Sequence, residues 1–170
     1  MDRHHRKGQY KSVTGKAFQD EMVGNYCWGC GSDNPNGLHL KSYWDGDVAV
    51  ARWSPSHEFA AGPRHFLNGG IIATLLDCHS VCTAVASAYQ GEHRAVGSEP
   101  ELWYATASMS VEYLRPTPIE STLELRAQVV EIVDRVISVD CLLAAAGKDR
   151  ATATVRAVRV PDDWRHGSVR

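Results

Sequence analysis

Apolar side chains occur nearly all round the stretch from Asn68 to Tyr89, where Ile71, Ile72, Leu75, Leu76, Val81, Val85 and Ala86 leave no wide polar face. A helix of that pattern is buried on most sides rather than laid on a surface. Asn68 is a good N-cap type and Gly91 lies just past the expected end, so the pattern predicts one long central helix. The rest of the chain alternates with the period of strands. Leu38 to Trp44 and Asp47 to Trp53 are two such segments, joined at the hairpin signal Asp45-Gly46. After the helix come Leu102 to Leu114, Thr122 to Val133, Val136 to Ala146 and Ala151 to Val160. Arg115-Pro116-Thr117-Pro118 breaks the first of these, and Gly147-Lys148-Asp149 turns between the last two. One helix followed by antiparallel strands defines an α+β class.

Residues 1–26 read as an arm of mixed polarity with Phe18, Met22 and Tyr26 as apolar anchors. Residues 27–160 form a single domain and 161–170 a tail. A chain of 170 residues suits one domain with a real core. The formal net charge of -2, with no basic stripe, argues against a nucleic-acid partner. The N-terminus is polar and basic without a hydrophobic centre, and no apolar run approaches the ~18 residues a membrane span needs. The expectation is a cytoplasmic protein with no membrane partner.

Five cysteines, Cys27, Cys30, Cys78, Cys82 and Cys141, are an odd count that suits free thiols better than a secreted disulfide framework. Cys78 and Cys82 fall on one helix face and read as small buried residues. Cys27-Trp28-Gly29-Cys30 has the spacing of half a zinc site, but no second pair of that kind follows. His39 and His57 complete such a site only on paper. A packed turn is the preferred reading, and no metal is expected.

Chemistry concentrates at the predicted helix. The pair Gly69-Gly70 opens it, and a glycine pair at a helix start exposes backbone N–H groups able to hold a developing oxyanion. Two turns further on, Asp77 lies among leucines, where an acid is costly to bury and is a candidate base or nucleophile. The plainer alternatives are a tight turn at the glycines, a simple N-cap at Asn68 and a structural carboxylate at Asp77.

Three elements carry a resemblance to a known family. They are Gly69-Gly70-Ile71-Ile72-Ala73-Thr74-Leu75-Leu76-Asp77, then Val111-Glu112-Tyr113-Leu114-Arg115-Pro116-Thr117-Pro118, and Cys27-Trp28-Gly29-Cys30-Gly31 with Asn34 and Gly37-Leu38. Over roughly residues 26–160 the chain resembles the hotdog-fold acyl-CoA thioesterases of the PaaI type. The resemblance implies a long central helix wrapped by a curved antiparallel sheet. It also implies a homodimer, paired again in some members into a homotetramer, and hydrolysis of acyl-CoA thioesters with CoA as part of the substrate and no separate cofactor. The family histidine ahead of the glycine pair is Asn68 here, which can donate a hydrogen bond but carries no proton charge. The position one turn after the acid, a hydroxyl in some relatives, is Val81.

On this reading Asp77 is base or nucleophile, the Gly70 amide is an oxyanion donor and Asn68 assists. Gly69, His65, Thr106, Ser108 and Arg115 are candidate substrate contacts. Thr106 and Ser108 either touch the acid or its water, or merely pack the sheet. Arg115 either meets a CoA phosphate or closes the sheet end. His57 and His65 either line a channel or lie on the surface. Seven residues of helix span about 10 Å. One small carbonyl group therefore cannot touch Gly70 and Asp77 of the same helix, and the roles assigned require two chains side by side. Two other functions compete. A hotdog hydratase or dehydratase is faintly suggested by His65-Phe66, and a non-catalytic acyl-CoA binding protein would gain nothing from a buried carboxylate.

Overall fold

The structure, a computed structural model, describes residues 15–167. One α-helix and six strands make up the domain: β1 (Ser42–Asp45), β2 (Val48–Trp53), α1 (Gly69–Gly91), β3 (Tyr104–Tyr113), β4 (Leu123–Val133), β5 (Val136–Ala145) and β6 (Lys148–Arg159). All neighbours pair antiparallel, in the order β1-β2-β4-β5-β6-β3. β3, the strand that follows the helix, therefore ends up at one edge of the sheet.

The inward residues alternate as the pleat demands. Leu123, Leu125 and Ala127 of β4, Ile137, Val139, Cys141 and Leu143 of β5, and Ala151, Ala153, Val155 and Ala157 of β6 all face the core. α1 touches all six strands. A helix is roughly 10–12 Å across, whereas six strands at ~4.8 Å spacing span over 20 Å. The sheet can reach the helix from both edges only by curling round it. Buried polar residues on α1 are satisfied locally: Ser80 Oγ donates to Leu76 O (2.7 Å) and Thr83 Oγ1 to His79 O (2.7 Å).

The strand and helix expectations hold, with shifted ends. β1 begins at Ser42 rather than Leu38, because the amides of Leu38 and Leu40 are taken by the carbonyls of Trp28 (2.8 Å) and Gly29 (3.2 Å). The β1–β2 turn is Gly46-Asp47, since Asp45 already pairs with Val48. The last hairpin turns at Ala146 and Gly147, both at positive φ (51° and 69°), so β6 starts three residues early, at Lys148. Gly91 closes the helix and Glu92 caps it. Of the arm's three expected anchors, Phe18 and Met22 join the core, but Tyr26 is 66% exposed. The membrane expectation also needs correction. α1 is long and apolar enough to cross a membrane by length and composition, yet most of it is packed inside the fold.

His79 ties several elements together. It is fully buried, with Nδ1 2.8 Å from Ser42 Oγ and Nε2 3.1 Å from Ala49 O. Ser42 in turn accepts from Gln19 Nε2 (2.9 Å) and donates its amide to Gln19 Oε1 (2.8 Å). Nε2–H donating to the carbonyl leaves Nδ1 to accept from the hydroxyl, so the ring is neutral. Burial pushes its pKa down to about 4 from 6.5, against a smaller opposing pull from Ala49 O. Between those values the unfolded chain binds the extra proton, so stability is complete above the unfolded value and is lost as pH falls. Denaturant titrations should show a loss approaching about 3 kcal/mol between pH 6.5 and 4. His79→Gln should flatten that slope.

Candidate active site

Asp77 lies a little past two turns into α1, half-buried. Its Oδ1 accepts a hydrogen bond from Thr106 Oγ1 at 2.6 Å. Burial raises the carboxyl pKa above the ordinary aspartate value, and the Thr106 bond pulls it down by less.

Thr106 reaches Asp77 because β3 is bulged. Across the β3–β6 ladder Met109 pairs with Val155, Val111 with Ala153 and Tyr113 with Ala151, so these odd-numbered residues share the helix-facing side. Uninterrupted alternation would put Thr106 on the opposite face with Ser108. The register shifts between Thr106 and Ser108, and Thr106 pairs with the fully buried Ala157. The extra residue turns Thr106 toward the helix. Ser108 pairs with Arg156 on the outer face, away from Asp77. The alternation pattern had grouped the two; the bulge separates them.

At the helix tip, Asn68 is the N-cap, and its Oδ1 accepts from the Gly70 amide at 2.7 Å. The N–H expected to hold an oxyanion is thus engaged by Asn68. The Gly69 N–H, first in the helix, makes no hydrogen bond among the described residues. Tyr113, which the sequence did not single out, donates its hydroxyl to Gly69 O at 2.9 Å. Its signal was present in the odd-numbered alternation of β3.

Gly69 and Tyr113 line a groove of about 370 Å³ together with Ile72, Phe66, Leu114 and Arg115. Its walls are mainly apolar, and Arg115 stands in it with the guanidinium donating to Asp149 O at 3.0 Å. Gly70 and His65 do not line it. His65 is exposed, and its carbonyl accepts from the Ile119 amide (3.0 Å). His57 lies beside Glu120, with 3.3 Å between Nε2 and Oε1.

The Cys27–Cys30 loop packs directly on α1 beside Asp77. A Cβ on Gly29 would lie 2.3 Å from Cys78 Sγ and 2.8 Å from Thr74 Cγ2, so only glycine permits the approach. The expectation of an isolated pair of cysteines is corrected: Cys78 and Cys82 do share a helix face, and that face meets Cys27 and Cys30. Sγ of Cys27 lies 3.6 Å from that of Cys78, and Sγ of Cys30 lies 3.7 Å from that of Cys82.

Known proteins agree with this architecture. The family model described as Thioesterase superfamily matches residues 65–152. The chain is 32% identical to a thioesterase superfamily protein from Shewanella loihica PV-4, over 72% of this chain and 91% of that one, with a TM-score of 0.58. It is 17% identical to Escherichia coli PaaI, from the phenylacetic acid degradation operon, over 73% and 81% of the two chains (TM-score 0.59). It is 16% identical to smu.793 from Streptococcus mutans UA159, whose structure holds acetyl-CoA, over 71% and 88% (TM-score 0.57). Among curated proteins none matches. The helix wrapped by its sheet is the hotdog fold, and the chain belongs to the thioesterase superfamily.

The geometry makes Thr106 the handle on the acid. Thr106→Val keeps the shape and deletes the hydroxyl, which stabilises the charged carboxylate. The Asp77 pKa should rise further, as read by NMR titration of its carboxyl carbon. An unmoved titration would separate Thr106 from the acid.

Proposed function

We propose that the protein hydrolyses an acyl-CoA thioester to a free acid and CoA. The observation that carries this reading is a half-buried carboxylate, Asp77, aimed by Thr106 on the same core helix whose glycine tip lines an apolar groove. Superfamily membership and the acetyl-CoA held by smu.793 support the substrate class.

The chemistry follows from the groups present. Attack on the thioester carbon pushes charge onto its oxygen, and an aimed N–H donor is worth about 3–4 kcal/mol there. Gly69 supplies that donor, because its N–H is unengaged and it lines the groove, whereas the Gly70 N–H serves the Asn68 cap. The helix dipole reinforces it. Ionised Asp77 either takes a proton from the attacking water or attacks to form a mixed anhydride that water then cleaves. Thiols are acidic enough, cysteine itself having a pKa of about 8.5, for CoA to depart as the thiolate without a general acid. That removes the need for a charged residue at Asn68. The groove's apolar wall suits the acyl or pantetheine chain, and Arg115 suits a phosphate.

Asp77 and Gly69 are eight residues apart, about 12 Å along one helix. They serve one carbonyl only if Asp77 comes from one protomer and Gly69 from another. What supports β3 as the meeting place is that it forms one edge of the sheet, carries Thr106 and leaves Met109 and Tyr113 exposed (37% and 55%).

The hydratase reading needs a histidine beside the acid. Of the histidines near these elements, His79 is sealed and neutral in the core, His65 is exposed outside the groove and His57 lies at Glu120. Hydrolysis is favoured over it.

A panel of acyl-CoAs assayed for free-thiol release tests the proposal. Wild type should turn over at least one member, and Asp77→Asn should lose about 10²–10⁴-fold in kcat with its melting temperature intact. Enoyl absorbance changes without thiol release, or tight binding without turnover, would contradict hydrolysis. Gly69→Pro offers a second check. Proline is tolerated at the first helical position and Asn68 is already extended (φ −62°, ψ 135°), so the variant deletes one N–H at little structural cost. It should lose about 10²–10³-fold. Gly69→Ala, whose Cβ would meet Tyr113 at an ordinary 3.5 Å, should stay close to wild type.

A further inference from the structure

Four of the five cysteines converge from distant parts of the chain. Cys27 and Cys30 come from the loop ahead of β1, and Cys78 and Cys82 from successive turns of α1. The Sγ atoms of Cys27, Cys30 and Cys78 all lie within 4.8 Å of one another, and Cys82 Sγ is 3.7 Å from Cys30 Sγ. Cys141 is buried elsewhere, on β5.

We propose that Cys27, Cys30, Cys78 and Cys82 bind a single tetrahedral zinc ion that clamps the 27–31 loop onto the central helix. Zinc–thiolate bonds of about 2.3 Å place tetrahedral sulfurs about 3.8 Å apart. Cys82 stands outside the group of three sulfurs that lie within 4.8 Å of one another and would swing in as the fourth ligand. The Cys27–Cys78 and Cys30–Cys82 separations, 3.6 and 3.7 Å, are close to the tetrahedral edge. They are far longer than the ~2.05 Å of a disulfide. With Cys27, Cys30 and Cys78 all within 4.8 Å of one another, the three sulfurs suit one ion better than two irons joined by sulfides.

The surroundings are built for the purpose. Cys30, Cys78 and Cys82 are buried, while Cys27 is exposed and gives an ion a way in. The loop is a tight knuckle: Gly31 N donates to Cys27 O at 2.8 Å, and a Cβ on Gly31 would fall 2.4 Å from Asn25 O. Asn25 Oδ1 accepts from the Cys27 amide at 3.1 Å, which fixes the first ligand. Gly29 is obligatory because the loop lies on Cys78. Four thiols packed together gain little as thiols, since S–H is a weak donor. A divalent cation lets all four ionise, and four sulfurs leave no open coordination position, so the ion is structural and not catalytic. Its place is one residue from Asp77. It would hold the catalytic turn, and through Trp28 O and Gly29 O it would also hold the start of β1.

The test needs no knowledge of the substrate. Full-length protein, purified reduced and without chelator, is assayed for metal by mass spectrometry and for release on thiol modification. One zinc per chain, surviving dialysis against a weak chelator, is expected. Exchange with cobalt should give thiolate-to-metal charge transfer and the intense visible bands of a tetrahedral site. Even outer-sphere partners are worth about 10–100-fold in affinity, so Cys27→Ser and Cys82→Ser should each weaken binding by at least that much. Cys141→Ala should retain the full equivalent. Folded, reduced wild type that holds no zinc and takes up no cobalt would overturn the assignment. So would an iron–sulfur chromophore, or metal retained equally by a Cys27→Ser/Cys82→Ser double variant. None of these readouts depends on thioesterase activity.

Discussion

Packing of one largely apolar helix inside a curled sheet is the constraint on which everything else in this protein rests. α1 is apolar on most sides, so the sheet must close round it, and a polar group on a buried side must be satisfied locally or put to use. Ser80 and Thr83 take the first course, bonding back to carbonyls one turn earlier. His79 also takes it, locked neutral between Ser42 and Ala49. Asp77 is the exception. It emerges near the edge strand, keeps one donor in Thr106, and carries a raised pKa because burial outweighs that single bond.

The same helix has its tip in the groove. Asn68 caps it through Gly70, leaving the Gly69 N–H as the outermost donor. Acid and donor are therefore rigidly placed on one element, but too far apart to serve one carbonyl. If both act on one thioester, as proposed, a rigid helix that cannot bring its two ends together requires a second chain. An exposed edge strand carrying Thr106 is where such an assembly would form. A metal-clamped loop beside Asp77 would add stiffness at the point where the helix must not move.

Much of this was legible in the sequence. Apolar residues all round 68–89 revealed a core helix, and period-two alternation revealed five of the six strands nearly to length. Asp77 stood out because an acid between leucines demands a reason. What escaped notice depends on non-local geometry. The bulge at β3 reverses which of Thr106 and Ser108 faces the helix, and no local pattern announces it. Leu38 and Leu40 alternate like a strand, but their amides belong to the Cys27–Cys30 loop. Cys78 and Cys82 at helical spacing read as core, because only the fold brings them to Cys27 and Cys30. The sequence pointed to the Gly70 amide as the donor, and only the cap hydrogen bond shows that N–H engaged by Asn68.

The central claim is that one active site draws Asp77 from one protomer and the Gly69 amide from another. Mixing Asp77→Asn protein with Gly69→Pro protein after subunit exchange tests it directly. If the site is shared, mixed dimers rebuild one intact site each, and thioester hydrolysis should return to roughly a quarter of the wild-type level. Activity that stays at the sum of the two separate variants, with mixed dimers demonstrably formed, would contradict it.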